Sequence, residues 1–274
     1  MDSVYDIVVK IGSMALVRHA DGDIDYNIFS RLGNSLRPGM LLVSSGATEI
    51  GRIDYIKRNG CELSGDVEDV KTDYSSQGQS ILMQNYRQFI SPAYSVRQVL
   101  VEHSHFNDIE KREHILKLLL RAPEQNAIPI INYNDPVSSE ENRKMELKKI
   151  GNGREVVECV DNDETAAIIA TLVNAKSLVI LTSVNGIYRD PGDPSTLIRE
   201  ICGGSPEELD ENAAEIMECC KGASRAGAAG AGAKIKYSLI PAKAGTHVYI
   251  SSAVNKVEDI VSGKADSTHI YLKN

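Results

Sequence analysis

Met40-Leu41-Leu42-Val43-Ser44-Ser45-Gly46-Ala47 changes character at Ser44. Four consecutive apolar residues have the composition of a strand buried on both faces. Two serines and a glycine end it, and from Ala47 to about Lys57 the pattern becomes helical. Strand, small polar turn, helix is the building step of an α/β sheet.

The same step recurs outward in both directions. Tyr5-Asp6-Ile7-Val8-Val9-Lys10 reads as a buried strand turning at Gly12, with a helix near Tyr26–Leu36. After Lys57, residues 59–72 are polar and contain glycine, which predicts an exposed connection before a helix over Ser75–Phe89. A strand at Val96–Val101, a helix at Glu110–Arg121 and a strand at Ile128–Ile131 come next; Pro129 fits only near a strand start or an edge. Residues 136–158 are charged and begin with a proline, predicting a projecting hairpin or loop. A helix over Asn162–Leu172 leads to a strand over Ser177–Leu181. Pro206–Cys220 and Ala233–Ala244 read as helices, the second kinked or broken at Pro241, with closing strands at Thr246–Ile250 and His269–Leu272. The alternation predicts an α/β fold whose central sheet is largely parallel and covered on both faces. In such sheets ligands bind at the carboxyl ends of the strands.

The bulk properties remove several classes of function. A chain of 274 residues suits one large domain or two lobes sharing a sheet. A net charge of −8 offers no basic face for displacing counterions, so no nucleic-acid partner is expected. No apolar run approaches the ~20 residues of a membrane span, and no membrane role is expected. The five cysteines, Cys61, Cys159, Cys202, Cys219 and Cys220, fit no metal spacing; with no signal peptide they read as reduced thiols of a cytoplasmic protein.

The residues just beyond each strand are small, polar or charged. Lys10 precedes Gly12, which places an ammonium where glycine lets backbone amides approach an anion; on Lys10 alone, a solvated lysine at a strand end is the favoured reading. Ser44-Ser45-Gly46-Ala47 joins a strand to a helix start, either an oxyanion cradle of free amides or a serine cap with a turn glycine. Asn132-Tyr133-Asn134-Asp135 and Val160-Asp161-Asn162-Asp163-Glu164 are two clusters of carboxamides and carboxylates. Asp161 or Asn162 as a helix cap is the plain reading; the functional one holds a substrate ammonium and orients the lysines. Gly227-Ala228-Ala229-Gly230-Ala231-Gly232-Ala233-Lys234 has the composition of a phosphate loop without the P-loop spacing. A flexible linker has the same composition, and Lys234 at the helix entrance tips the reading toward a nucleotide contact. His103 and His105 lack further metal ligands and read as a polar loop.

Taken in order, these segments resemble the glutamate 5-kinase branch of the amino-acid kinase family. The resemblance rests on Val8-Val9-Lys10-Ile11-Gly12-Ser13, Leu42-Val43-Ser44-Ser45-Gly46-Ala47 with Gly51, and Gln77-Gly78-Gln79-Ser80-Ile81-Leu82-Met83 with Tyr86. It continues through Pro129-Ile130-Ile131-Asn132-Tyr133-Asn134-Asp135, Asp161-Asn162-Asp163, Leu181-Thr182, Asn185-Gly186-Ile187-Tyr188 and Asp190-Pro191. It implies a three-layer αβα sandwich with an acceptor lobe over about 1–172 and a nucleotide lobe over about 173–274. It also implies ATP and Mg²⁺, a small-molecule acceptor, a homo-oligomer, and a place in proline biosynthesis. Lys10 and Lys234 would flank the transferring phosphoryl group, and Asp163 would organise them. Gly12, Ser45, Gly46, Asp135 and Asn162 fall at the acceptor; Thr182, Ser183, Tyr188, Gly230, Gly232 and Lys234 fall at the nucleotide. The chain departs from the family pattern at Ser183, where an aspartate is usual, at Tyr133, where a glutamate is usual, and along 227–234. The stretch from Asp135 to Asp161 is also longer, and the C-terminal RNA-modification-type (PUA) domain of many relatives is absent. Three functions stay open: glutamate phosphorylation, the same chemistry on another small acid or a nucleoside monophosphate, and a weakened nucleotide-binding regulator.

Overall fold

The computed structural model describes residues 3–18, 20–138, 144–148, 156–158, 162–220 and 228–273. Its strands are β1 (Ile7–Ile11), β2 (Met40–Ser44), β3 (Ser95–Val101), β4 (Ala127–Tyr133), β5 (Ser177–Thr182), β6 (Ile187–Tyr188), β7 (Leu197–Ile198), β8 (Glu200–Gly203), β9 (His247–Ser252) and β10 (Ser267–Leu272). Eight of them form one sheet in the order β3-β4-β2-β1-β5-β9-β10-β8, and β6 pairs with β7 in a separate ribbon. β1 with β5, β5 with β9, β3 with β4 and β10 with β8 run parallel, while β10 and β9 run antiparallel. The expected largely parallel α/β sheet is therefore present. Its helices are α1 (Tyr26–Ser35), α2 (Ala47–Asn59), α3 (Val67–Phe89), α4 (Ser104–Asn107), α5 (Ile109–Arg121), α6 (residues 144–148), α7 (Asn162–Leu172), α8 (Pro206–Cys220), α9 (Ala228–Lys243) and α10 (Val257–Val261).

The chain divides into two compact units: Met1–Ile11, Gly39–Leu42 and Asp163–Asn274 in the first, Gly12–Pro38 and Val43–Asn162 in the second. In the first, every residue of β1 is buried, Lys10 included, and Lys10 lies in register with Ile180 of β5. The inner face of α7 is made of Ala166, Ala167, Ile169 and Ala170, all buried. Tyr249, His269, Tyr271 and His247 form a stacked aromatic ladder on β9 and β10, with His247 Nδ1 2.9 Å from His269 Nε2.

In the second unit α2 and α3 touch backbone to backbone at two glycines. A Cβ on Gly78 would lie 1.8 Å from the Ala47 carbonyl oxygen, and one on Gly51 1.8 Å from that of Tyr74. α3 begins at Val67, eight residues before the expected start at Ser75. The Asp66 side chain accepts from the Glu68 amide and caps it, and Glu68 and Asp69 favour the positive end of the helix. The polar composition of 66–73 thus marks a helix start facing water rather than a connection.

Three further expectations are corrected. Residues 136–158 do not simply project: α6 is helical, Glu146 bonds the buried His103, and Val157 exchanges two hydrogen bonds with the Asn107 side chain. The rest of that segment lies outside the described residues, as do Val160 and Asp161. His103 and His105 belong to the turn that opens α4 rather than a polar loop. His103 is buried at 1% exposure, and His105 Nδ1 accepts from the Glu102 amide. The Gly/Ala run is helical from Ala228, so Gly230 and Gly232 lie inside α9, and Gly227 lies outside the described residues. Alanine spacing supports helix strongly enough to carry two glycines. α9 also runs through Pro241 and ends two residues later, where the lost amide costs only a terminal hydrogen bond. Pro129 is the third residue of β4, near its start. Cys61 and Cys202 are free thiols; Cys159 and the side chains of Cys219 and Cys220 lie outside the described residues.

Candidate active site

In the first unit two lysines close on one carboxylate. Lys10, the fourth residue of β1, pairs with Asp163 Oδ1, and Lys234 of α9 donates to Asp163 Oδ2 at 2.9 Å. The side chains of Lys10 and Asp163 are 6% and 5% exposed, and that of Lys234 is 23% exposed. Burial by itself pushes the Asp163 carboxyl upward. Attraction to Lys10 and then Lys234, with their hydrogen bonds, outweighs it and holds the group below the usual aspartate range. Asp163 also occupies the first turn of α7, where the helix dipole favours negative charge. Asp163 is therefore an anion saturated by two ammoniums. It is built to place cations and is a poor base.

Two ammoniums sharing one carboxylate carry an excess positive charge. An arriving phosphate meets donors already positioned, so little reorganisation is needed when charge develops on it. Among the described residues, no group of three or more His, Cys, Asp or Glu side chains could hold a metal ion.

The remaining residues expected at a nucleotide are also in this unit. Thr182 ends β5, and its hydroxyl is engaged in its own turn, donating to the Val184 carbonyl at 2.7 Å and accepting from the Val184 amide at 3.0 Å. Ser183 is exposed, and Tyr188 lies in β6 opposite Leu197. A Cβ on Gly230 would approach Lys234 Nζ at 3.8 Å, while one on Gly232 would meet nothing within 4 Å.

The second unit holds the residues expected at an acceptor. Gly46 is the N-cap of α2 with φ 107°, a left-handed conformation, and a Cβ there would lie 2.8 Å from the Leu16 side chain. Only glycine fits this turn, which leaves Ser45 directly before the helix. Asn162 Nδ2 donates to Ser45 Oγ at 3.1 Å and to Asn132 Oδ1 at 3.0 Å, and Asn132 Nδ2 donates to Gln79 Oε1 at 2.8 Å. Ser44 Oγ lies 2.7 Å from the buried Tyr86 hydroxyl, whose ionisation burial pushes well above the usual range. Asp135 is half-buried in the turn after β4. Gly12 precedes the turn Ser13–Leu16 in an extended conformation open to any residue.

Ser45 and Asn162 are thus in contact, and Lys10, Asp163 and Lys234 are in contact. The Tyr133 hydroxyl lies 2.7 Å from Ser138 Oγ. Gln79 is the residue whose role the sequence reading missed. Its signal was present: a polar side chain at helical spacing from the buried Leu82, Met83 and Tyr86 sits on the core face of its helix.

The model of the amino acid kinase family matches residues 7–252. A glutamate 5-kinase from Geobacillus kaustophilus is 29% identical over 96% of this chain and 67% of its own length. One from Clostridium perfringens is 26% identical over 97% of this chain and 95% of its own length. A carbamate kinase from Giardia lamblia bound to AMP-PNP has the same fold, with a TM-score of 0.59 at 16% identity over 97% of this chain and 98% of its own.

Proposed function

This chain belongs to the amino acid kinase family and is an ATP-dependent small-molecule kinase; from that premise we propose that it phosphorylates the side-chain carboxylate of L-glutamate. The products are glutamyl 5-phosphate and ADP, and the reaction would place the chain in proline biosynthesis. The observation that carries the chemistry is the pair of lysines held on buried Asp163. An oxygen of the acceptor carboxylate attacks the γ-phosphorus while the bond to the ADP oxygen breaks. Negative charge spread over the transferring group is neutralised by Lys10 and Lys234. A free carboxylate, with an ordinary pKa of about 4.3, is already ionised at neutral pH and needs no general base. That suits a centre whose aspartate is committed to two ammoniums, and it disfavours hydroxyl acceptors.

We assign the acceptor to Gly12, Ser45, Gly46, Asp135 and Asn162. Both protons of Asn162 Nδ2 are engaged, by Ser45 and Asn132, while its Oδ1 is buried with no hydrogen-bond partner among the described residues. Asn162 therefore offers an acceptor atom and suits an ammonium. Together with the Asp135 carboxylate, this favours an acid that carries an amine over a phosphonate or a nucleoside monophosphate. The similarity to glutamate 5-kinases of Geobacillus and Clostridium supports the same acceptor. Thr182, Ser183, Tyr188, Gly230, Gly232 and Lys234 are assigned to the nucleotide. Asp163 is occupied and no acidic cluster is available among the described residues, so Mg²⁺ would arrive on the phosphates of ATP. The acceptor lobe, the nucleotide lobe and homo-oligomeric assembly belong to the same reading.

The test is ATP turnover with millimolar L-glutamate, hydroxylamine trapping the acyl phosphate. Glutamate-dependent hydroxamate is expected. Turnover with another acid and none with glutamate would overturn the acceptor while leaving the kinase.

A further inference from the structure

The carboxamide chain of the second unit has a fixed polarity, and its origin is a backbone amide. The Tyr133 N–H donates to Asn132 Oδ1 at 2.9 Å. A backbone N–H is a donor only, so the atom facing it is the oxygen of Asn132, and the amide cannot be turned over. Every other orientation is then set. Asn132 Nδ2 is left facing Gln79, which presents Oε1. Asn162 in turn presents Nδ2 to Asn132 Oδ1 and keeps Oδ1 for a donor of its own. Asn132 is 2% exposed and Gln79 8% exposed, so water does not readily replace either partner.

We propose that Gln79 is a positioning residue for the acceptor: it pins the Asn132 carboxamide, which fixes the side chain of Asn162. The proposal rests on the assignment of the acceptor to Asn162. Gln79 itself touches no substrate. Without its Oε1, a buried donor on Asn132 loses its partner, and the Asn132 side chain is held at its oxygen alone. Asn162 is then free to swing, and the open Oδ1 is no longer aimed. The Gln79 Nε2 is buried with no hydrogen-bond partner among the described residues and contributes nothing to this arrangement. Only the oxygen matters, so a glutamate at this position serves as well.

The substitutions are Gln79→Leu, which removes the oxygen, and Gln79→Glu, which keeps it. In the intact chain, Gln79→Leu is expected to raise the KM for the acceptor tenfold or more and the KM for ATP less than twofold. Gln79→Glu should return the acceptor KM to within threefold of the parent. In ¹⁵N spectra, the Asn162 side-chain amide protons should exchange slowly in the parent and in Gln79→Glu, and fast in Gln79→Leu. An unchanged acceptor KM in Gln79→Leu, or a Glu variant as impaired as the Leu variant, overturns the proposal. If the parent uses another acid in place of glutamate, the same comparison made on that acid decides it, and only the glutamate assignment falls. A parent that no acid stimulates overturns both.

Discussion

Asp163→Asn keeps the size of the side chain and removes its charge. In the parent, each lysine at about 3 Å gains roughly 5–6 kcal/mol of gross Coulomb attraction at an effective dielectric near 20, and the carboxylate pays several kcal/mol of desolvation. Asparagine retains one oxygen, which satisfies one ammonium; its NH₂ faces the other, donor against donor. Removing one partner from buried pairs of this kind costs about 3–5 kcal/mol, which corresponds to a fall in Tm of roughly 6–10 °C for a chain of this size. Exposure then separates the lysines. Lys234, at 23%, turns toward water, while Lys10, at 6%, stays trapped. Adding Lys10→Met to Asp163→Asn is therefore expected to recover about 2 kcal/mol, and adding Lys234→Met less than about 0.5 kcal/mol. Urea unfolding of the parent, the three single variants and the two doubles reads both couplings. Turnover falls by about a hundredfold in Asp163→Asn and is not recovered in either double. If Lys10→Met lowers stability as much in the Asp163→Asn background as in the parent, the buried charge is not what the aspartate holds, and the reasoning fails.

Gly78→Ala forces backbone against backbone, with the new Cβ 1.8 Å from the Ala47 carbonyl oxygen, and should cost about 3 kcal/mol in urea unfolding. Gly232→Ala is its opposite: a helical site with nothing among the described residues within 4 Å, expected to gain about 0.5–1 kcal/mol in urea unfolding. A loss of stability in Gly232→Ala would mean that the segment works as a loop. His269 is held at about 4, against an ordinary 6.5, by burial first and His247 second. The unfolded chain thus takes up a proton that the folded ladder refuses, and stability falls as pH drops from 6.5 toward 4. Because the ring is only partly buried, solvent screening leaves about 1 kcal/mol of the effect. Urea midpoints of the parent and His269→Gln at pH 7 and 4.5 should show the parent losing more; an equal loss in both rules the ladder out.

The sheet was legible because its strands are continuous apolar runs, and Met40–Val43 and Ser177–Leu181 have no other reading. Helix starts were less so. At Asp66 the cap is one side chain in a polar stretch, and composition does not separate a solvent-facing first turn from a loop. The run 228–234 was misread for the opposite reason: glycine suggests a loop, while the alanines between favour helix. Lys10 and Asp163 were singled out by the family resemblance, because a place at a strand end or a helix start leaves a plain structural reading open. The bond that orients the Asn162 side chain was not, because it depends on Asn132, thirty residues away in the chain. Short elements such as β6, β7 and α4 carry too few residues for a period to register.

The meeting of Gly51 and Gly78 has a consequence for the turn at Ser45-Gly46. Side-chain contacts between helices shift whenever a rotamer hops or a methyl group is exchanged. A carbonyl resting on a neighbouring α-carbon has no such freedom. The first turn of α2 is therefore located by main chain alone, at Ala47, one residue beyond the Gly46 cap. Apolar residues elsewhere in α2 and α3 are free to drift among aliphatic alternatives while that turn keeps its coordinates. A chain built this way tolerates turnover in its interior without recalibrating the turn at Ser45-Gly46.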